Sequence, residues 1–305
     1  MGKAIIAIDL GSNSIRFLKM DCETKESLGS FHKTVRTADV LALTGVIDDG
    51  AIARVISAIK EAKEVIDFSD AKVKAVTTEA IRQATNGQEV LGYIKDHTEI
   101  EFEVIDGNQE ASYALLATQK RLELLGENPK SFMLADIGGA STELIFSYGE
   151  ESISKSFQVG IVTITQSLGT LEVIAQAMPA LMNPLKLFCD EVYGKYGKAE
   201  RFVAIAGTPT TISAMKLGMD YKSYDASKIQ GTILSRNDLI EQLEILLKMT
   251  IKERQRVVGV AREDLIASGV LIYDELYGIG GFTESMVIDD GVREGVAFSM
   301  CKEQK

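Results

Sequence analysis

An apolar run opens the chain and is interrupted once. In "AIIAIDLGSNSIRFL" (Ala4–Leu18) it stops on Asp9, passes Gly11, Ser12 and Asn13, then resumes. The pattern predicts a buried strand, a tight turn and a second strand. The arrangement returns in "LADIGGASTELIF" (Leu134–Phe146), where the break falls on Asp136 and the turn holds Gly138, Gly139, Ala140 and Ser141. The two acids lie 127 residues apart. An internal repeat of about half the chain is the reading, with duplication as its structural hypothesis.

Between the two passages the spacing is mostly helical. Ile52, Val55, Ile56, Ile59 and Ile66 share one helix face, directly after the second strand. A short strand at Val73–Val76 leads through Thr77–Thr78, read as a cap, into a helix carrying Arg82. "IEFEVID" is a strand; the helix after it starts at Asn108, read as its cap, and ends near Gly126 with Pro129 beyond. From Ser131 come strand, turn, strand, a further strand in "SISKSFQVG", and helices. "RFVAIAGTPTTISAM" reads as strand, glycine turn and helix, and two more helices precede the closing "SMVIDDGVREGVAF". The class is α/β. The expected domains are 1–126 and 127–295, with 296–305 packing back on the first.

Composition narrows the function. A length of 305 residues and 46% hydrophobic content suit two real cores. A net charge of −11 argues against a nucleic-acid binder, which needs a basic footprint. An anionic substrate then needs local Arg or Lys, backbone amides or a divalent cation. Cys22, Cys189 and Cys301 are far apart and read as reduced thiols of a cytoplasmic protein. His32 and His97 are too few for a histidine-rich metal site. No secretory leader is expected, and no apolar run approaches the ~20 residues of a membrane helix.

The repeated turns carry the candidate chemistry. Glycine lets a backbone N–H approach a ligand closely, and successive N–H groups make a concave nest for phosphate oxygens. Ser and Thr add hydroxyl donors, and an Asp at a strand end can hold a divalent cation or orient a water. The candidate phosphate ligands are Gly11, Ser12 and Asn13, and Gly138, Gly139, Ala140 and Ser141. Neither turn is a P-loop, since GxxxxGK[ST] is missing and a strand follows the first. Ordinary hairpin turns are the alternative, weakened because an Asp stands before both.

Seven passages in order carry a resemblance: "DLGSNSIR", "TTEAIRQATNG", "EVIDGNQEA", "DIGGASTEL", "VGIVTIT", "AIAGTPTT" and "DDGVREG". Nearly the whole chain resembles the exopolyphosphatase / guanosine pentaphosphate phosphatase (Ppx/GppA) family, in its short two-domain form. That family lies within the superfamily of actin, sugar kinases and heat-shock chaperone ATPases. The resemblance implies two ribonuclease-H-like (actin-like ATPase) domains with a cleft between them. It implies Mg²⁺-assisted attack of water on a terminal phosphoanhydride, releasing orthophosphate. Glu110 matches the family's catalytic glutamate. Asp136 and Glu143 match its acids beside the second turn, and Asp9 is the corresponding Mg²⁺ candidate of the first. Arg82 matches an arginine facing the phosphates; Arg16 and Arg36 are weaker candidates. Gly207 and Thr208 match a glycine turn that meets a nucleotide in the superfamily. Ala140 stands where a third glycine is usual, Gln109 where an acid is frequent, and "VRTADVLALTG" keeps half of an Arg-Leu-Gly pattern.

Two other functions stay open at the level of sequence. One is an ATPase or kinase of the same fold, binding adenosine near Gly207. The other is a regulator that binds polyphosphate or alarmone without turnover. No membrane or nucleic-acid partner is expected, and a homodimer would suit a long polyanion.

Overall fold

Alternate residues of the first strand face two different cores. The computed structural model describes residues 4–260 and 262–303. They fall into two units, Met1–Ala117 with Gly291–Lys305, and Thr118–Asp290. The first unit holds β1 (Ala4–Leu10), β2 (Ser14–Asp21), β3 (Ser27–Thr34), α1 (Leu41–Thr44), α2 (Asp49–Val65), β4 (Ala71–Thr77), α3 (Glu79–Gln83), α4 (Gly87–Thr98) and β5 (Phe102–Val104). The chain changes unit within α5 (Gly107–Leu124). The second unit continues with β6 (Ser131–Ile137), β7 (Thr142–Tyr148), β8 (Glu151–Phe157), α6 (Ile161–Leu168), α7 (Leu171–Tyr196), β9 (Arg201–Ile205), α8 (Gly207–Lys216) and α9 (Ala226–Ile229). It ends with β10 (Thr232–Ser235), α10 (Arg236–Lys248), α11 (Ile251–Val258), α12 (Ile266–Gly280) and β11 (Glu284–Val287), and α13 (Val292–Lys302) rejoins the first unit.

The first sheet has the order β3-β2-β1-β4-β5, the second β10-β11-β9-β6-β7-β8. Two antiparallel hairpins open each sheet, β1–β2–β3 and β6–β7–β8. Parallel pairing follows, β1 with β4 and β4 with β5, matched by β6 with β9 and β9 with β11. The order 3-2-1-4-5 therefore recurs as 8-7-6-9-11, with β10 added at one edge. The repeat seen in two short passages is a repeat of topology.

In β1, Ile6 and Ile8 pack with Val55, Ile59 and Ile94 from α2 and α4, whereas Ile5 and Ala7 pack with Val296, Ala297 and Phe298 of α13. Side chains alternate along a strand, so Asp9 continues the Ile5–Ala7 face, the one that α13 covers. Helix α2 starts where Asp48 accepts the N–H of Ala51 at 3.0 Å, an N-cap of the usual kind.

Three expectations from sequence are corrected. Strand β3 precedes the long helix; its residues are largely exposed, and it is an edge strand paired only with β2. The cap of α5 is Asp106, whose carboxylate accepts the N–H groups of Asn108 at 2.9 Å and Gln109 at 2.8 Å. Cys22 and Cys301 are not thiols: they form a disulfide, with Cα atoms 5.1 Å apart and a sequence separation of 279. Only Cys189 is free, and it is buried. Among the described residues no helix is long and apolar enough to cross a membrane.

Candidate active site

Both glycine turns are tied down from behind. In the first, Gly11 N–H donates to Ser14 O at 2.9 Å; in the second, Gly138 N–H donates to Ser141 O, also at 2.9 Å. Asn13 O accepts Val35 N–H (2.9 Å) and Arg36 N–H (3.0 Å), Ser12 O accepts Ala38 N–H (2.9 Å), and the Thr37 hydroxyl donates to Gly11 O (2.6 Å). The first turn of α6 does the same for its loop: Ile161 N–H reaches Gly138 O (3.1 Å) and Val162 N–H reaches Gly139 O (2.8 Å). The carbonyls are thus satisfied by segments behind the turns. Among the described residues, no backbone carbonyl accepts the N–H groups of Ser12, Asn13, Gly139, Ala140 or Ser141. Rows of such backbone donors form the concave nests that bind anions. The Asn13 amide oxygen is also buried without a partner.

Ala140 fits without strain, because neither it nor Gly138 takes a positive φ. The glycines are needed for room. A Cβ on Gly160 would stand 2.3 Å from Gly139 O and from the carbonyl carbon of Ala140. Gly160→Ala therefore forces the second turn off the start of α6. We expect at least a tenfold loss of phosphate affinity in that variant, measured by titration calorimetry, and a melting point lowered by several degrees.

The acids before the turns have different partners. Asp136 lies opposite Glu143 in the β6–β7 register, and Asp9 lies opposite Arg16 in the β1–β2 register. Directly opposed residues on one face of an antiparallel pair are neighbours. The second unit so offers an acid pair, the first an acid beside a cation. Glu143 is buried and its Oε1 accepts the hydroxyls of Ser141 and Ser156, both at 2.6 Å. Asp9 is packed tightly by protein, and this burial pushes its carboxyl from 3.8 up to about 6, against the pull of Arg16 and Arg293; Glu294 adds to the rise.

A raised carboxyl pKa costs stability once the group ionises. The unfolded chain releases this proton near 3.8, the folded chain near 6, so stability falls as pH rises through that window. Asp9→Asn should then be about 1–2 kcal/mol more stable than the parent at pH 8, with little difference at pH 4. Thermal melts at the two pH values check this.

Glu110 sits in the first turn of α5, where Asp106 O accepts its N–H at 2.9 Å. Its carboxylate is buried beside Arg82, whose two terminal nitrogens lie 3.3 and 3.4 Å from Glu110 Oε2. Arg82 Nε also donates to Glu79 Oε2 at 2.9 Å, and Arg82 reaches Ile105 O at 2.5 Å. The guanidinium is thus held between two carboxylates, and a phosphate would compete with them for it. Gln109 is occupied in capping, its amide oxygen accepting the N–H of Asp106 at 3.0 Å.

At the α8 turn, Ala206 takes a left-handed φ of 74°, uncommon for a residue with a Cβ. Arg262 lies directly over Gly207, donating to Gly207 O at 2.8 Å and to the Thr211 hydroxyl at 3.0 Å. The Thr208 hydroxyl is buried without a partner, packed where a Cβ on Gly269 of α12 would stand. Only the backbone of Thr208 faces the start of the helix as a candidate ligand.

A model of the "Ppx/GppA phosphatase family" matches residues 23–304. The chain belongs to the Ppx/GppA phosphatase family. Exopolyphosphatase 2 of Mycobacterium tuberculosis is 29% identical, over 97% of this chain and 98% of that one. The guanosine-5'-triphosphate,3'-diphosphate pyrophosphatase of Photobacterium profundum is 24% identical, over 98% of this chain and 59% of its own. A crystal structure of the Aquifex aeolicus family member aligns with a TM-score of 0.73 at 27% identity, covering 99% of this chain and 98% of that one. An exopolyphosphatase from Cytophaga hutchinsonii shares the fold, with a TM-score of 0.83 at 21% identity over 98% of each chain. The resemblance read from seven motifs, and the two-domain actin-like α/β class that it implied, are both borne out.

The structure of this Ppx/GppA protein adds partners that sequence reasoning left unassigned. Glu79 holds Arg82 at helical i,i+3 spacing, a signal available in "TEAIR". Ser156 faces Glu143 in the β7–β8 register. Arg293 and Glu294, inside "DDGVREG", act on the Asp9 carboxyl and pair with each other. Arg16 neighbours Asp9, while the backbone of Arg36, at φ 49°, supports the first turn.

Proposed function

We propose that this Ppx/GppA protein removes orthophosphate from the end of inorganic polyphosphate, from guanosine pentaphosphate, or from both. The observation that carries the reading is the pair of glycine turns, each following an Asp, whose N–H groups are not taken up by backbone carbonyls. Its relatives' names point to the same two substrates. Water attacks the terminal phosphorus, the anhydride oxygen leaves with the shortened chain, and orthophosphate departs.

Glu110 takes the proton of the attacking water, and Arg82 orients its carboxylate and meets the developing phosphate charge. Gly11, Ser12 and Asn13, Gly138 to Ser141, and the backbone of Gly207 and Thr208 hold phosphate oxygens. Mg²⁺ fits the donor set. Asp136 and Glu143 are hard oxygen ligands opposite one another, and Asp9 is a further one. Among the described residues no three or more such side chains gather as a cage. Mg²⁺ is commonly held by one or two carboxylates together with substrate phosphates and waters. When bound, Mg²⁺ offsets phosphate charge and polarises the anhydride. The activity is assigned to the cytoplasm, with no nucleic acid or membrane involved.

The test is phosphate release with Mg²⁺ and, in turn, long-chain polyphosphate, guanosine pentaphosphate and ATP. Release from either of the first two supports the proposal. Cleavage of ATP alone makes the protein an ATPase, and binding without release makes it a sensor.

A further inference from the structure

We infer that Cys22 and Cys301 form a reversible thiol–disulfide site that sets how firmly α13 holds Arg293 and Glu294 beside Asp9. The inference rests on the proposed phosphohydrolase only for its kinetic consequence.

The bridge joins the residue after β2 to the last turn of α13. At the other end of α13, Arg293 donates to Phe17 O, in the middle of β2, at 3.3 Å. The helix is therefore fastened to β2 at two points, one covalent and one polar. Between them Val296, Ala297, Phe298 and Met300 are buried against Ile5, Ala7, Leu18 and Met20. This apolar contact keeps α13 docked without the covalent bond, so reduction leaves the fold intact. It releases one of the two fastenings, and a helix of 11 residues, about 16 Å long, moves as a rigid lever. The short arm of that lever carries Arg293 and Glu294. Glu294 accepts Gly291 N–H at 2.9 Å and Arg293 Nε at 2.7 Å, and both side chains set the charge around Asp9.

The chemistry is two-electron exchange. In oxidation, one cysteine thiolate attacks a low-molecular-weight disulfide and expels one small thiol. The second cysteine thiolate then displaces the other small thiol, closing the Cys22–Cys301 bond. Two protein thiols and one small disulfide become one protein disulfide and two small thiols, with protons conserved. A dithiol reductant reverses the sequence. Cys22 is 9% exposed and Cys301 2%, so the incoming thiolate meets the sulfur of Cys22 and Cys301 leaves. Cys189 stays outside the exchange, because burial pushes its thiol up to about 11. With the partners separated by 279 in sequence, the chain alone rarely brings the sulfurs together, and the bond re-forms only when α13 is docked. In a reducing compartment a bridge of this kind cycles between dithiol and disulfide.

The full chain is prepared oxidised with glutathione disulfide and reduced with dithiothreitol. Thiol titration after denaturation should count one thiol in the first form and three in the second. Reduction should speed amide exchange at least tenfold across residues 295–302, at both ends of α13, and slow phosphate release from polyphosphate at least threefold. Reoxidation should restore both. Cys301→Ser should behave as the reduced form and ignore both reagents; Cys22→Ser gives the same reading should the first variant misfold. Three thiols in the oxidised sample, or faster exchange confined to the last turn, overturns the inference. So does equal phosphate release by the two forms of an active enzyme. If neither form releases phosphate, the proposed function fails, and exchange at both ends of α13 still decides the clasp.

Discussion

Glu110→Gln is expected to lower kcat for phosphate release about a thousandfold while KM stays within about threefold. Gln keeps the shape of the side chain but loses its capacity to take a proton, together with the negative charge that faces Arg82. Arg82 keeps Glu79 and Ile105 O as partners, so the local structure survives. The control is Glu79→Gln, which removes the other carboxylate on Arg82 and leaves Glu110 intact. A loss as large in the control would assign the effect to Arg82 and its surroundings, not to proton transfer. Unchanged kcat in Glu110→Gln removes Glu110 from the mechanism.

Features set by local pattern were legible from sequence. Strand–turn–strand with an Asp before the turn reads directly, because burial on both faces makes β1 and β6 nearly continuous apolar runs. The turns themselves were legible for the same reason. β3 was not: "SLGSFHKT" is an exposed edge strand with no apolar alternation to announce it. The Cys22–Cys301 bond was not, because 279 positions of spacing carry no information about which sulfurs meet. The direction of the Thr208 hydroxyl was also hidden. It depends on α12 crossing at Gly269, a tertiary contact between distant segments.

The two halves share their backbone and differ in their charges. Asp9 and Asp136 occupy equivalent strand ends before equivalent turns, but their register partners are Arg16 and Glu143. A cation beside Asp9 neutralises it locally, whereas two facing carboxylates repel until a cation joins them. The repeated topology sets a glycine turn after an Asp in each half, and one difference on the neighbouring strand gives the two turns different charges. On this reading Arg16→Glu gives the first unit an acid pair at its turn, and Glu143→Arg removes the pair at the turn of the second.

Arg82→Met is expected to destabilise the protein by about 3 kcal/mol at pH 8 and to abolish phosphate release. The side chains concerned are well covered, at 19% exposure for Arg82, 12% for Glu79 and 10% for Glu110, so this is not a screened surface pair. Removing the guanidinium takes away the cation that both carboxylates face and leaves their mutual repulsion uncompensated by it. Thermal melts of Arg82→Met and parent at pH 8 measure the deficit. Adding Glu79→Gln should recover part of the lost stability at pH 8 without recovering activity. A deficit that adding Glu79→Gln leaves unchanged would instead mean that Arg82 contributes by packing its aliphatic stem rather than by the charge held between Glu79 and Glu110.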